Sequence, residues 1–299
     1  MLDILKRGLG SLEPVSPVSR RGVIGSAAIG AAAAMIAPAL IAPTAAAASS
    51  GRIDSKQFAF DDPRDKLTAE FRILRDLKPE ADVLLWYFWS MFVVAEGRKV
   101  APLVRYEGIE FSHHKLIGEN LYRVHGHNLS FPRDLMTGAF VDRVRNPVTG
   151  KDVAIPPTVL TSDPGMLYSP AGKRPLDRKG DDFTPTYSLF RIEDDLVKIE
   201  EIRVPPDNWL TPFIESSHNW SPKKLFDNSR ITRLPTGTSG GYVFPFPKWL
   251  EMGDVRGHMV GLWSGRKLDG VHQLPEEFYQ RTEAQFPQLL KVDLTAFKT

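Results

Sequence analysis

Between Val83 and Val94 the chain reads VLLWYFWSMFVV, a run without a charge. Its length and its aromatic and β-branched content suit a strand better than a loop. Leu85, Tyr87, Trp89 and Met91 fall on one face of such a strand, and Trp86, Phe88 and Phe92 on the other. An antiparallel strand with one face in water alternates apolar with polar residues. This one does not, so both faces have to be covered, one by an internal cavity or core and the other by a helix or a subunit partner. Glu96-Gly97-Arg98 reads as a hairpin turn into a second strand from Val100 to Phe111.

A third strand follows in NLYRVHGHNLSF, residues 120–131. Period two puts Arg123, His125 and His127 on one of its faces, as it puts Arg105 and Glu107 on one face of the second strand. Two similar turns, Asp134 to Gly138 (DLMTG) and Asn146 to Gly150 (NPVTG), then flank a strand AFVDRVR and lead into KDVAIP. Residues 156–184 lack periodicity and read as a long surface loop or lid. Tyr187 to Ile192 and Leu196 to Val204 predict a hairpin around Glu193-Asp194-Asp195, Pro205 to Pro247 an irregular stretch, and VRGHMVGLWSG a late strand. Helices are expected at Asp62–Lys78, with Pro63 in the first turn, and at LPEEFYQRTEAQFPQLL, with Phe278, Thr282 and Phe286 along one face. The class is therefore mainly β (α+β), an antiparallel β-barrel or strongly curved sheet with a few flanking helices. Helical patterns do not alternate with the strands, which argues against a βαβ fold.

Residues 1–48 have the grammar of a twin-arginine signal peptide. Lys6, Arg7, Arg20 and Arg21 supply a basic region, Gly22 to Ala42 is uncharged and apolar, and Ala46-Ala47-Ala48 offers small residues for cleavage. An uncleaved anchor is the alternative. Cleavage leaves residues 49–299 as a single β-rich domain, periplasmic and without a stable membrane anchor. The absence of cysteine removes disulfides, thiolate metal sites and thiol nucleophiles. The whole chain has 38 basic and 36 acidic side chains, and the leader holds four of the former and two of the latter (Asp3, Glu13), so the remainder is formally neutral. Neutrality without a basic cluster excludes nucleic-acid partners.

VRYEGIEF, GAFVDRVRNPVTGKDVAI and FPKWLEMGDVRGHMVGLWSGRKL together resemble a bacterial family known only as a domain of unknown function, number 1838. The matching motifs are Glu107-Gly108, Asp134 to Gly138, Asn146 to Gly150, Lys248 to Gly253 and Gly265 to Lys267. The resemblance spans the chain from the first helix to the last. It implies a shared fold, and it carries no catalytic assignment onto these positions.

Three kinds of chemistry are open to these residues. His125 and His127, with His258 as a third ligand, would form a divalent metal site of the kind strands supply with His-x-His, although Phe131 stands where a carboxylate ligand could fall. Without a cofactor, His127 would act as base with His125 as its partner, Arg105 and Arg123 holding an anion and Glu107 orienting them. Tyr87, Trp89, Tyr106, Trp263 and His258 would line a ligand pocket, and Trp86, Tyr122 and Trp249 belong to the same aromatic set. No glycine-rich phosphate loop or Gly-x-Ser-x-Gly motif is present, against nucleotide-dependent enzymes and serine hydrolases. The expectation is an exported enzyme of lyase or isomerase type that moves a proton on a small apolar, aromatic molecule without a cofactor. The alternatives are a non-catalytic periplasmic barrel that binds a hydrophobic ligand, and a metal-dependent enzyme using His125 and His127. A homo-oligomer is compatible with either. The mechanism depends on the imidazole face of the third strand looking into an enclosed chamber.

Overall fold

After the short strand β1 (Ser55–Gln57), the chain forms helix α1 (Pro63–Leu74) and three long strands, β2 (Glu80–Ala95), β3 (Ala101–Gly118) and β4 (Leu121–Arg133). A small hairpin, β5 (Arg143–Arg145) and β6 (Asp152–Ala154), precedes β7 (Thr158–Thr161), β8 (Met166–Ser169) and β9 (Gly172–Pro175). Then come β10 (Thr186–Glu193), β11 (Leu196–Arg203), β12 (Ile214–Pro222), the single-turn helix α2 (Lys223–Phe226), β13 (Gly237–Phe244), β14 (Gly257–Leu268) and helix α3 (Glu276–Gln285). This computed structural model describes residues 55–57, 62–161, 165–176, 186–203 and 214–297. The signal-peptide reading of residues 1–48 lies outside the described residues.

Twelve strands make one antiparallel sheet, ordered β1-β10-β11-β12-β13-β14-β2-β3-β4-β8-β9, with β7 also on β4. The uncharged run sits in β2, between β14 and β3. Ten of the strands curl through 249° into a half-barrel, the mainly β curved sheet expected from the sequence. The curl is visible in one contact. β9 and β11 are eight places apart in the sheet, roughly 40 Å if it were flat. Yet Lys173 of β9 is bonded directly to Glu201 of β11, and its ammonium also lies 2.5 Å from Glu70 of α1.

Helix α1 bridges the same gap with apolar side chains. Asp62 caps its first turn through the Arg64 N–H, and Pro63 opens it. Leu67 and Phe71 pack on Tyr122, Val124 and Tyr168 from the β4–β8 side, and Ala69 and Ile73 on Phe190, Val197 and Ile199 from the β10–β11 side. Its last carbonyls, of Ile73 and Arg75, accept from the Lys267 ammonium of β14 at 2.6 and 2.9 Å. Burial pushes the Lys267 amine well below the ordinary lysine range. At the other end of the half-barrel the β5–β6 hairpin and Leu250 pack on Met91, Val93, Val104 and Met259. Outside, α3 and the residues after it cover β2, β3 and β4, burying Phe278, Leu289 and Val292 on Leu84, Ile109, Phe111, Leu129 and Phe131. Both faces of β2 are thus covered, one by interior and one by helix.

The two predicted turns are near copies. Asp134 Oδ1 accepts from the N–H groups of Met136 and Thr137, and Asn146 Oδ1 from those of Val148 and Thr149; Gly138 and Gly150 each close the turn at φ +72°. Three expectations need correction. Residues 156–184 are not simply a loop, since β7, β8 and β9 extend the sheet there along the β4 edge. Residues 205–247 contain β12 and β13, whose pairing the many Pro, Ser and Gly residues obscured. The second strand does not end at Phe111, since β3 runs on to Gly118 and buries His113 and His114 within it.

Burial raises the Glu70 pKa, whereas at Glu201 burial is outweighed by Lys173 together with Arg203 and Arg75, which lower it, so Glu70 is the more readily protonated of the two carboxyls. Lys173→Met leaves a buried carboxylate unpaired and is expected to cost about 3–5 kcal/mol in urea unfolding. Glu70→Gln, which mimics the protonated acid, is expected to change stability by about 1 kcal/mol or less. Equal losses in the two variants would contradict this assignment of charge.

Candidate functional site

Residues opposite one another in an antiparallel pair share a face. The register of β2, β3 and β4 therefore sorts the candidate side chains into two sets on opposite sides of the sheet. One set contains Arg105 opposite Arg133, Glu107 opposite Phe131, His113 opposite His125, Phe111 opposite His127, and Lys115 opposite Arg123. The other contains Tyr87 opposite Gly108, Trp89 opposite Tyr106, and Trp263 opposite Trp89.

The histidine set faces outward, beneath the carboxy-terminal segment. His125 and His127 are 8% and 5% exposed, so they are neither in bulk water nor in a chamber. The His127 Nε2–H donates to the Leu289 carbonyl at 2.8 Å, which ties the segment after α3 to β4. Burial lowers the His127 pKa. The Phe297 ring stands edge-on to His113 at 4.8 Å and to His125 at 6.2 Å, with the Arg123 guanidinium 5.5 Å from its centre. His113 itself is held by Asp82 at 2.7 Å and Glu80 at 3.1 Å. Glu107 is fully buried, accepting from Arg133 Nε at 2.6 Å and from the Trp86 indole at 2.9 Å. Burial raises its pKa against the pull of Arg133. Arg105 lies over the Phe88 ring at 5.6 Å. The five residues expected to do acid/base work do share one face, but that face is the packing surface for the chain's end.

His258 does not join His125 and His127. It pairs with Val94, whereas the histidine cluster lies level with Asp82 and Leu84, roughly 30–40 Å away along β2. The expected three-histidine ligand set is therefore not assembled, and among the described residues no other group of three His, Asp or Glu converges as metal ligands do. A hollow of about 310 Å³ lies near the cluster, between Leu84, Phe111, Val271 and Leu290. Three charged residues of its rim are already engaged: Asp82 with His113, Arg233 with the Asp82 and Leu268 carbonyls, and Asp269 with Gln273.

The inner face is different. Three of its aromatic side chains stand opposite glycines and lie across them. A β-carbon at Gly108 would fall 2.8 Å from the Tyr87 ring, one at Gly240 2.7 Å from Trp263, and one at Gly261 2.8 Å from Tyr242. Only glycine admits these rings so close to the neighbouring strand, and small residues on the concave side also let a sheet curl. Trp89 stacks on Tyr106 at 4.7 Å and leans towards Tyr242 at 5.3 Å. Tyr106 is buried behind Trp89, its hydroxyl donating to the Pro156 carbonyl at 3.2 Å. The Trp89 indole N–H finds no acceptor among the described residues.

A polar band borders these rings. Arg75, just past α1, pairs with Glu110 of β3 at 3.4 Å, and Arg203 of β11 pairs with Glu215 of β12 at 3.3 Å. Glu110, Arg203 and Glu215 keep 38, 43 and 20% of their side-chain exposure. Burial nonetheless raises the Glu215 pKa although Arg203 opposes it, and Glu201 and Glu110 raise it further. Solvent contact together with desolvation is the mark of a concave site: water reaches the groups but the surroundings are mostly protein. Burial also pushes the Tyr87 and Tyr242 hydroxyls above the ordinary phenol range, reinforced by Glu110 at the first and by Tyr87 and Glu215 at the second.

The structure thus brings Tyr87, Trp89, Tyr106 and Trp263 together as the sequence suggested, leaves the expected His258 on the opposite face of β14, and adds Tyr242, Glu110, Glu215, Arg203 and Arg75, which sequence reasoning missed. Glu110 was within reach, because it shares parity with Tyr106, whereas Arg105 and Glu107 are the neighbours of Tyr106 and cannot share its face. No protein-family model, curated protein or solved structure matches the chain.

Two outcomes follow for the buried histidines. His114, on the inner side of β3, donates from Nε2 to the Lys78 carbonyl at 3.1 Å, and burial lowers its pKa to about 4. A lowered histidine leaves the native state with fewer protons than the unfolded chain. Stability is therefore expected to fall as pH drops from about 6.5 towards 4, by up to roughly 3 kcal/mol from this group, and His114→Leu should flatten that limb in pH-dependent unfolding. His127→Phe is expected to speed amide exchange over residues 286–297 severalfold while leaving β10–β12 protected.

Proposed function

We propose that the inner face of the half-barrel is a small-molecule site, and that the protein acts there as an acid/base enzyme on a flat, largely apolar compound. The observation that carries this reading is the row of rings lying across glycines, Tyr87, Tyr242 and Trp263, beside a solvent-reached pair of carboxyls. The rings offer a platform for an aromatic or alicyclic body.

Glu215 and Glu110 divide the chemistry by environment. Glu215, desolvated and pressed by two other carboxyls, holds its proton to higher pH than an ordinary glutamate and serves as the acid. Glu110, paired with Arg75, serves as the base. Side chains alone supply these steps, which suit a lyase or isomerase. The expected periplasmic setting and the resemblance to the unknown-function family 1838 remain parts of this proposal. The histidine face enters it only by holding the chain's end against β4.

A second reading has its own support. Both carboxyls are ion-paired at rest, by Arg75 and Arg203, and such a closed polar band suits a carrier that binds a hydrophobic ligand without changing it. Turnover separates the two. With a panel of aromatic compounds screened by quenching of tryptophan fluorescence, Glu215→Gln is expected to lower turnover of the best ligand about 100-fold or more while leaving its binding within a few fold. Trp263→Leu should weaken binding itself. Ligand binding indifferent to Trp263→Leu and Tyr242→Leu would overturn the site, and binding without any turnover would leave the carrier.

A further inference from the structure

We propose that the ligand of this inner site carries a positive charge, as an amine or quaternary ammonium group held against the faces of Tyr87, Tyr242 and Trp263 between Glu110 and Glu215. The inference rests on the small-molecule reading of the inner face and names the class of molecule.

Ring orientation is the first support. A ring lying across a glycine has one face on the backbone and turns the other to the interior, and these three are so placed opposite Gly108, Gly261 and Gly240. The exposed face of an aromatic ring is the negative end of its quadrupole. Several such faces around one space attract an organic cation, most strongly when water is thinned out. Trp89, leaning on Tyr242, adds a fourth ring.

Charge placement is the second, independent support. The charged neighbours felt at the Tyr87 and Tyr242 hydroxyls are Glu110 and Glu215 respectively. Each of these acids has one guanidinium partner, at 3.4 and 3.3 Å, and each carboxyl, ionised as the base Glu110 or carrying the proton of the acid Glu215, keeps oxygen lone pairs for a second cation. Of the other inner amines, Lys173 is committed to Glu70 and Glu201, and Lys267 to the carbonyls that end α1. An anion placed over the rings would meet two carboxyls and four negative ring faces. A cation would meet ring faces and carboxyl oxygens, with Arg75 and Arg203 already paired to those carboxyls.

The test uses the full chain and three probes of one shape: benzyltrimethylammonium, its uncharged carbon isostere neopentylbenzene, and phenylacetate as the anion. Binding is followed by tryptophan fluorescence and, for the two soluble ions, by calorimetry. Benzyltrimethylammonium is expected to bind about tenfold or more tightly than the isostere, with phenylacetate weakest. Glu110→Gln should reduce that preference severalfold, Glu215→Gln, which keeps the shape of the protonated acid, should leave it within a few fold, and circular dichroism checks that both fold. If neopentylbenzene binds as well as the cation, the charge assignment falls while the small-molecule site stands. Cation binding unchanged in Glu110→Gln would place the probe elsewhere and also overturn the assignment. If no probe binds, the cation class and the site reading fall together.

Discussion

Everything inside the half-barrel depends on the ammonium of Lys173, which joins two ends of a sheet that would otherwise lie far apart. A curled antiparallel sheet that does not close leaves two edges, and edges without partners invite strand addition or unrolling. Here the ends are drawn together by a buried trio, Glu70, Lys173 and Glu201, with α1 laid across the gap so that one helix face packs on each side. Charge and apolar contact do separate jobs. The apolar contact supplies most of the stabilisation, since a buried ion pair gains little after desolvation. The trio supplies registry, because only one curl brings a lysine on β9 to a glutamate on β11.

That arrangement explains why the inner face is both greasy and charged. Carboxyls and guanidiniums from β3, β11 and β12 and from the end of α1 converge on a space whose floor is aromatic. Their ion pairs hold them in fixed orientations, as an acid/base site or a binding site requires. The outer face shows the opposite economy. His113, His127 and Glu107 are taken up by hydrogen bonds to Asp82, Glu80, Leu289, Arg133 and Trp86, and the bond from His127 to Leu289 fastens the carboxy-terminal segment in place.

Much of the fold was legible because period two is a local signal. The uncharged run gave β2, its turn gave β3, and alternation gave β4, while the repeated Asp/Asn-to-Gly pattern marked both turns. Alternation also grouped Arg123 with His125 and His127, and that grouping holds in the structure. Which group faces inward was not legible, because it is decided by curl. Curl in turn depends on a contact between Lys173 and Glu201 that no stretch of sequence displays. Glu215 and Tyr242 were hidden for another reason: β12 and β13 are rich in Ser, Gly and Pro, so their periodicity is weak, and they act as strands because β11 and β14 provide partners on either side.

The strict alternation along β3 carries an evolutionary corollary. Tyr106 and Glu110 point one way and Arg105 and Glu107 the other, so deleting or adding one residue mid-strand would exchange the anchoring salt bridge for the aromatic lining in a single event. Related chains should therefore vary in length at the hairpin tips near Gly97 and Asn120, and tolerate internal indels in this strand only as compensated pairs.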